Sequence, residues 1–210
     1  MPTILKTDKY KRQLPSVFEN PLVEKVIVVI DLQLTDEKAD EITKEFYDMD
    51  KHQKLQILIT GGGKFCNGSW NFAMEVGDKT DYLIFANDDI VYDTKVFQEI
   101  FSLDLKGYGI IGAGKEYRNV ISRTHGFGQL MFMYKHHYTE IPDGIKHWFG
   151  DDWLFYKMSL LGMSNFTYPI AIETNFGESS DNEVVRERIL ADFQYWDTIK
   201  KDFEPFFYHE

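Results

Sequence analysis

The chain has 210 residues, a formal net charge of −11, 43% hydrophobic residues and 16% aromatic ones. That length suits one large domain or two small ones with a substantial core, and the composition excludes a disordered chain. The acidic balance argues against nonspecific binding to nucleic acid or an anionic membrane, while leaving room for a local basic groove. Cys66 is the only cysteine, which rules out an internal disulfide and a cysteine zinc cluster.

The first twenty residues are mixed and charged and lack the apolar core of a signal peptide. No apolar run approaches a membrane span, so the expectation is a cytoplasmic protein. Val26 to Ile30 is a β-branched run that suits a strand buried on both faces, and it stops at Asp31. Thr35, Asp36 and Glu37 then read as a helix cap with acidic first-turn residues, followed by Ala39, Ile42 and Phe46 at helical spacing. Leu55 to Thr60 is a second strand, closed by Gly61, Gly62 and Gly63. Ser69 to Val76 reads as a short helix.

Tyr82 to Ala86 is a third strand, and it ends at Asn87, Asp88 and Asp89. Adjacent carboxylates are costly to bury unless something neutralises them. A hard cation held by one or two carboxylates and substrate phosphates does so, and strand ends are where ligands bind in open α/β sheets. The same stretch also reads as a strand followed by an acidic turn. Asp93 and Thr94 precede a helix with Val96, Phe97, Ile100 and Phe101 on its buried side, and Gly109 to Gly112 is a glycine-flanked strand.

The first half thus alternates strand and helix, which argues for a parallel, doubly wound sheet there. Further on, Gln129 to Tyr134 and Tyr168 to Glu173 read as strands, and Trp153 to Gly162 as a helix ended by Gly162. Asp181 to Lys201 is a long helix with Val185, Ile189, Phe193 and Trp196 on one face. Its other face carries Glu183, Arg186, Glu187 and Asp192. That helix is expected to pack on the sheet or on a second subunit, so a homo-oligomer is an open possibility. The organisation expected is one compact α/β domain with a nucleotide-binding first half.

The triple glycine lets backbone amides approach a phosphate or base closely, although it lacks phosphate-loop spacing and also reads as a surface turn. Asp151 and Asp152 open a helix, where one Asp is explained as a cap and two less well. With Trp148, Phe149 and Trp153 around them, one of the pair is a candidate base of raised pKa. His125, His136 and His137 lack chelating spacing and read as surface or substrate-contact residues.

Four of these elements, in order, resemble the core of family 2 glycosyltransferases with the GT-A fold. Asn71 and Ala73 match the family's Asn-x-Gly/Ala helix, and Asn87, Asp88 and Asp89 match its Asp-x-Asp-like strand end. Residues 107–114 match the glycine-flanked strand that follows, and residues 150–162 the acidic-pair helix. The resemblance implies a single α/β GT-A-like domain with a mixed central sheet, its Rossmann-like nucleotide-sugar-binding half over residues 1–115 and its acceptor-binding half with the C-terminal helix over 116–210. It also implies transfer of a sugar, with inversion, from a nucleotide-sugar donor, expected to be a UDP-sugar. Asp89, with Asp88, would hold Mn²⁺ or Mg²⁺, and Asp152, or alternatively Asp151, would deprotonate the acceptor. Asp31, Thr60, Gly61, Gly62, Asn71, Asn87 and Asp88 would bind the donor. Lys115, Arg118 and Arg123 would meet the diphosphate or an acidic acceptor.

The chain departs from the family in carrying Thr60 and Gly61 where an Asp often ends the second strand. It also lacks the late metal-binding histidine, so that either Glu173 or Asn175 would substitute as an oxygen ligand or the metal would be held weakly. A glycan, lipid, protein or modified nucleobase would serve as acceptor. A noncatalytic nucleotide- or sugar-binding protein and a nucleotidyltransferase are the alternative readings on the same scaffold.

Overall fold

The computed structural model describes residues 1–77, 80–174 and 183–206. In chain order the elements are β1 (Pro2–Thr3), α1 (Lys9–Glu19), β2 (Val26–Ile30), α2 (Asp36–Met49), β3 (Leu55–Ile59), α3 (Phe65–Val76), β4 (Tyr82–Ala86) and β5 (Ile90–Val91). Then come α4 (Val96–Phe101), β6 (Ile110–Gly114), β7 (Arg118–Val120), β8 (Leu130–Tyr134), α5 (Gly150–Leu160), β9 (Asn165–Pro169), β10 (Glu173–Thr174) and α6 (Glu183–Ile199). Among the described residues no helix is long and apolar enough to cross a membrane.

Parallel pairing holds for the first strands, which run β1-β2-β3. It does not extend to the rest of the first half. β4 and β6 both pair antiparallel with β8, in a five-stranded mixed sheet ordered β4-β8-β6-β9-β7. The α/β class with a mixed central sheet is therefore as expected, while the all-parallel first half is corrected. An apolar run specifies that a strand is buried, not which way its neighbour runs.

The mixed sheet separates two apolar cores, and strand alternation assigns side chains to each. Along β8, Leu130 and Phe132 face the core built with α1, α2 and α4, whereas Met131 and Met133 face the one built with α5 and α6. β6 does the same with Ile111 and Ile110. Both faces of β8 are fully buried, since Leu130, Met131 and Phe132 are all at 0% exposure.

Several helix boundaries follow local rules. The Thr35 hydroxyl accepts the Lys38 N–H at 3.3 Å and caps α2. Gly162, at φ +73, ends α5 as a glycine past a helix C-terminus does. α3 begins at Phe65, four residues earlier than its apolar pattern and one residue past the triple glycine, with Lys64 between. The strand expected at Tyr168 to Glu173 is instead two strands, β9 and β10, with Ile170 to Ile172 between them.

On α6, Val185 and Trp196 are buried, but Phe193 is 43% exposed and Asp192, expected on the polar face, is 0% exposed. Val185, Asp192 and Trp196 are spaced seven and four apart, so the inward stripe of the helix runs through the aspartate. The expected first two helix residues, 181 and 182, lie outside the described residues.

Gly112, in the middle of β6, is packed against Phe127 so closely that an added Cβ would meet the ring at 2.4–2.5 Å. Gly112→Ala is expected to lower stability by about 1–3 kcal/mol, the scale of overpacking a tight core. Urea unfolding measures it, and an unchanged midpoint would mean the ring moves aside at no cost.

Candidate active site

Asp31, directly after β2, accepts the backbone N–H of Lys64 at 3.0 Å and of Phe65 at 2.6 Å, as well as the Thr60 hydroxyl. The N–H groups at a helix start have no intrahelical acceptor. Asp31 thus caps α3 from another strand and sets its negative charge against the positive end of the helix. Gly61, Gly62 and Gly63 have φ of +79, +93 and +85, a conformation that side chains rarely adopt. The glycines are therefore required by the turn that brings α3 onto Asp31.

Asp88 and Asp89 lie in the tight turn from β4 to β5 and are 8% and 6% exposed. The Thr3 hydroxyl donates to Asp88 at 2.5 Å. Burial, reinforced by Asp89 and opposed by the Thr3 bond, pushes the Asp88 carboxyl up to about 6. Among the described residues no three His, Cys, Asp or Glu side chains converge to hold a metal. Glu173 does not join the pair, because it is committed to Arg12 through two bonds of 2.7 and 3.0 Å. Asn175 lies outside the described residues. Two adjacent carboxylates without a third protein ligand fit a hard cation that takes its remaining ligands from substrate phosphate and water.

The second acidic pair sits in the first turn of α5. Arg123 reaches both members, with Nη1 3.2 Å from Asp151 Oδ2 and Nε 2.7 Å from Asp152 Oδ1. Burial raises Asp152 to about 6, Asp151 adds to this, and Arg123 opposes it. Burial disfavours the charge on Arg123, but the two carboxylates more than offset that and hold it ionised. Asp152 Oδ2 has no hydrogen bond among the described residues.

The segment leading into α5 is clamped from two sides. From α3, Asn67 Nδ2 donates to the carbonyls of Ile145 at 3.1 Å and Trp148 at 2.9 Å, and its N–H donates to Lys146 at 2.7 Å. From α6, Asp192 accepts the N–H groups of Lys146, His147 and Trp148 at 3.0, 2.7 and 2.8 Å. Arg188 pairs with Asp192 at 2.8 Å and donates to the Gly144 carbonyl at 2.6 Å. Phe149 then takes φ +62, a left-handed conformation costing on the order of 1–3 kcal/mol, and stacks on Trp196 with centroids 5.2 Å apart.

One cavity of about 640 Å³ brings Asp31, Asn87, Asp88, Asp89, Asp151 and Asp152 together, with Arg123 and His125 also in its wall. Thr60, Gly61 and Gly62 are not in that wall; Gly63 is the member of the loop that reaches it. Asn71 is also outside the wall, where it braces the 138–141 segment. It donates to the Ile141 carbonyl at 2.8 Å and accepts the Tyr138 hydroxyl at 2.5 Å and the Ile141 N–H at 3.0 Å. Lys115 and Arg118 are exposed and away from the cavity, and Arg118 pairs with Glu116 at 3.2 Å. His136 and His137 pack on Tyr134 at the end of β8.

Three contributors have no motif in the sequence: Thr3, Asn67 and Asp192. For Asp192 a signal existed, an acid interrupting an apolar helical stripe. Thr3 and Asn67 carry none, since their partners lie 78 or more residues away.

No protein-family model and no curated protein matches the chain. Solved structures do. GalNAc-T7, solved with UDP, GalNAc and Mn²⁺, is similar at a TM-score of 0.59 and 12% identity, over 93% of this chain and 47% of that one. The chain therefore spans about half the length of GalNAc-T7. TarS 1–349 from S. aureus is similar at a TM-score of 0.58 and 10% identity, over 95% of this chain and 72% of that one. The inositol-1-phosphate CTP transferase from T. maritima is similar at 0.52 and 12%, over 87% and 82%. The neighbours thus include GT-A glycosyltransferases and nucleotidyltransferases, and the fold is GT-A-like. At these identities the fold is what is shared.

The raised Asp88 carboxyl gives a pH test. A group that holds its proton more tightly in the folded state stabilises the fold below its unfolded pKa, near 4, and loses that contribution as pH rises through about 6. Ionised Asp88 therefore burdens the native state at neutral pH. Without divalent cations, Asp88→Asn is expected to exceed the wild type in stability by on the order of 2–3 kcal/mol at pH 7.5, from 1.36 kcal/mol per pKa unit. The difference should shrink to nothing near pH 4. Urea unfolding across that range measures it, and a gain independent of pH would contradict the assignment.

Proposed function

We propose that the chain is a glycosyltransferase that moves a sugar from a nucleotide-sugar donor, a UDP-sugar first among them, to an acceptor hydroxyl. The observation that carries this is the single cavity holding a strand-end carboxylate pair opposite a helix-start carboxylate pair. The first pair suits a donor diphosphate with its cation, and the second suits an acceptor that must lose a proton. A GT-A-like fold shared with a structure containing UDP, GalNAc and Mn²⁺ supports the same reading.

In this proposal Asp89, with Asp88, holds Mn²⁺ or Mg²⁺ on the donor diphosphate. When bound, the cation supplies charge stabilisation to the departing nucleoside diphosphate. Asp31, Asn87 and Gly63 frame the nucleotide, Thr60, Gly61 and Gly62 act indirectly by shaping the turn that carries Gly63, and Asn71 acts indirectly by fixing the 138–141 segment. Asp152, or alternatively the more exposed Asp151, takes the acceptor hydroxyl proton, while Arg123, paired with both, keeps the carboxylates oriented. The acceptor oxygen then attacks the anomeric carbon opposite the leaving diphosphate, which inverts its configuration. A carboxyl near pKa 6 is ionised at neutral pH and is a stronger base than an ordinary aspartate.

The nucleotidyltransferase reading keeps standing through the likeness to the T. maritima structure. It requires a nucleoside triphosphate and a sugar phosphate as substrates and releases pyrophosphate. A panel of UDP-, GDP- and dTDP-sugars beside the matching triphosphate and sugar-phosphate pairs separates the two by product. Binding without turnover of either panel would support a noncatalytic protein.

Titrating UDP by calorimetry tests the cation. Affinity is expected to fall at least tenfold in Asp89→Ala with Mn²⁺ present, and in the wild type when a chelator is added. Equal affinity with and without chelator would remove the metal from the mechanism. For the base, Asp152→Asn is expected to lower turnover by about 10²–10⁴-fold, the range for general acid–base catalysis. Wild-type kcat/KM should rise with pH up to about 6, as Asp152 loses its proton, and then level. Near-wild-type turnover of the variant would leave Asp152 as a helix cap, a role that Asn fills comparably.

A further inference from the structure

We propose that Trp148 is the platform on which the acceptor stacks, and that this acceptor is an uncharged saccharide lying with a pyranose face on the indole. The word acceptor rests on the glycosyltransferase reading; the binding of a sugar face does not.

The chain has four tryptophans. Trp70 and Trp196 are buried at 5% and 6% exposure. Trp153 donates its indole N–H to the Glu140 carbonyl at 3.0 Å and carries the Lys157 ammonium 4.3 Å above its ring. Trp148 combines a place in the cavity wall with 41% exposure, whereas Trp70 shares the wall but is buried.

Its backbone is fixed at both ends. Asp192 accepts its N–H at 2.8 Å, and its carbonyl accepts from Asn67 at 2.9 Å. The ring rests against Phe193 at 5.5 Å and Phe149 at 6.3 Å. A large apolar face held open in this way loses little freedom on covering, which favours binding.

The surroundings select the ligand. Five carboxylates share the cavity wall, and Arg123 is already engaged by two of them. An anionic acceptor is repelled there. A pyranose offers a face of C–H groups to the electron-rich indole and hydroxyls around its edge. Those hydroxyls can donate to carboxylates in the same wall, the partly exposed Asp151 among them. An alkyl chain would cover the indole but offer those carboxylates no donor.

The test uses the full chain with ¹⁵N-labelled tryptophan, whose four indole N–H signals are followed by NMR. The Trp148 signal is identified by its absence from Trp148→Phe. Methyl β-D-glucopyranoside and methyl β-D-galactopyranoside are titrated with and without UDP, beside methyl β-D-glucuronide as the anionic probe and 1,2-hexanediol as the aliphatic one. The Trp148 signal should move saturably with a neutral glycoside and less with the glucuronide. Affinity should fall about tenfold or more in Trp148→Ala and stay near wild type in Trp148→Phe, which keeps an aromatic face. The other three indole signals, unmoved between variants, establish that each is folded.

The proposal is overturned if no neutral glycoside moves the Trp148 signal, or if Trp148→Ala binds as tightly as the wild type. It is also overturned if hexanediol binds more tightly than the glycosides, which would point to a lipid. Saccharide binding through Trp148 without transfer from any nucleotide-sugar would uphold the platform and sink the glycosyltransferase reading.

Discussion

Carboxylates buried around one cavity are the constraint to which the surrounding structure responds. An ionised carboxylate removed from water is strongly destabilised unless hydrogen bonds or countercharges replace its hydration. Each acid in the wall is answered differently. Asp31 receives two backbone N–H groups and a hydroxyl, and so becomes part of the helix start it caps. Asp151 and Asp152 receive one guanidinium between them. Asp88 receives the Thr3 hydroxyl, and its raised carboxyl shows that this falls short of full compensation. The shortfall is at the strand end, where a bound cation would be most favourable.

One further buried acid, Asp192, lies outside the cavity wall yet sets its shape. With three N–H groups and Arg188 as partners it is well compensated. Its work is to hold one side of the 144–148 segment while Asn67 holds the other. Between those clamps the chain has little freedom, which is how Phe149 is kept in a left-handed conformation. The strain is local and the restraints come from α3 and α6, so the orientation of the acidic pair on α5 depends on helices far away in sequence.

What the sequence conveyed was local. An apolar run stopped by Asn87, Asp88 and Asp89, a glycine triplet after a strand, and an acidic pair before a helix each carry their signal within about ten residues. What it did not convey was pairing. Nothing in Thr3 points to Asp88, and nothing in Tyr82 to Ala86 says that its neighbour is the antiparallel β8 rather than a parallel strand. Asn71 illustrates the limit of motif matching, because the resemblance placed it with the donor whereas its amide is occupied by the 138–141 segment. Asp192 illustrates a different limit: its spacing lay on the apolar stripe, but an acid is by default assigned to solvent.

β8 ties the two cores to the cavity through its register. Its side chains alternate between cores, and immediately before its first residue the Gln129 carbonyl accepts the Asn87 N–H at 3.1 Å. Inserting or deleting a single residue in β8 would exchange the two sets of core side chains and displace the anchor beneath the Asn87–Asp89 turn in the same step. Length variation among descendants of this chain should therefore be confined to the loops flanking β8. The strand itself can drift in side-chain identity while its residue count is held constant by both cores and the site together.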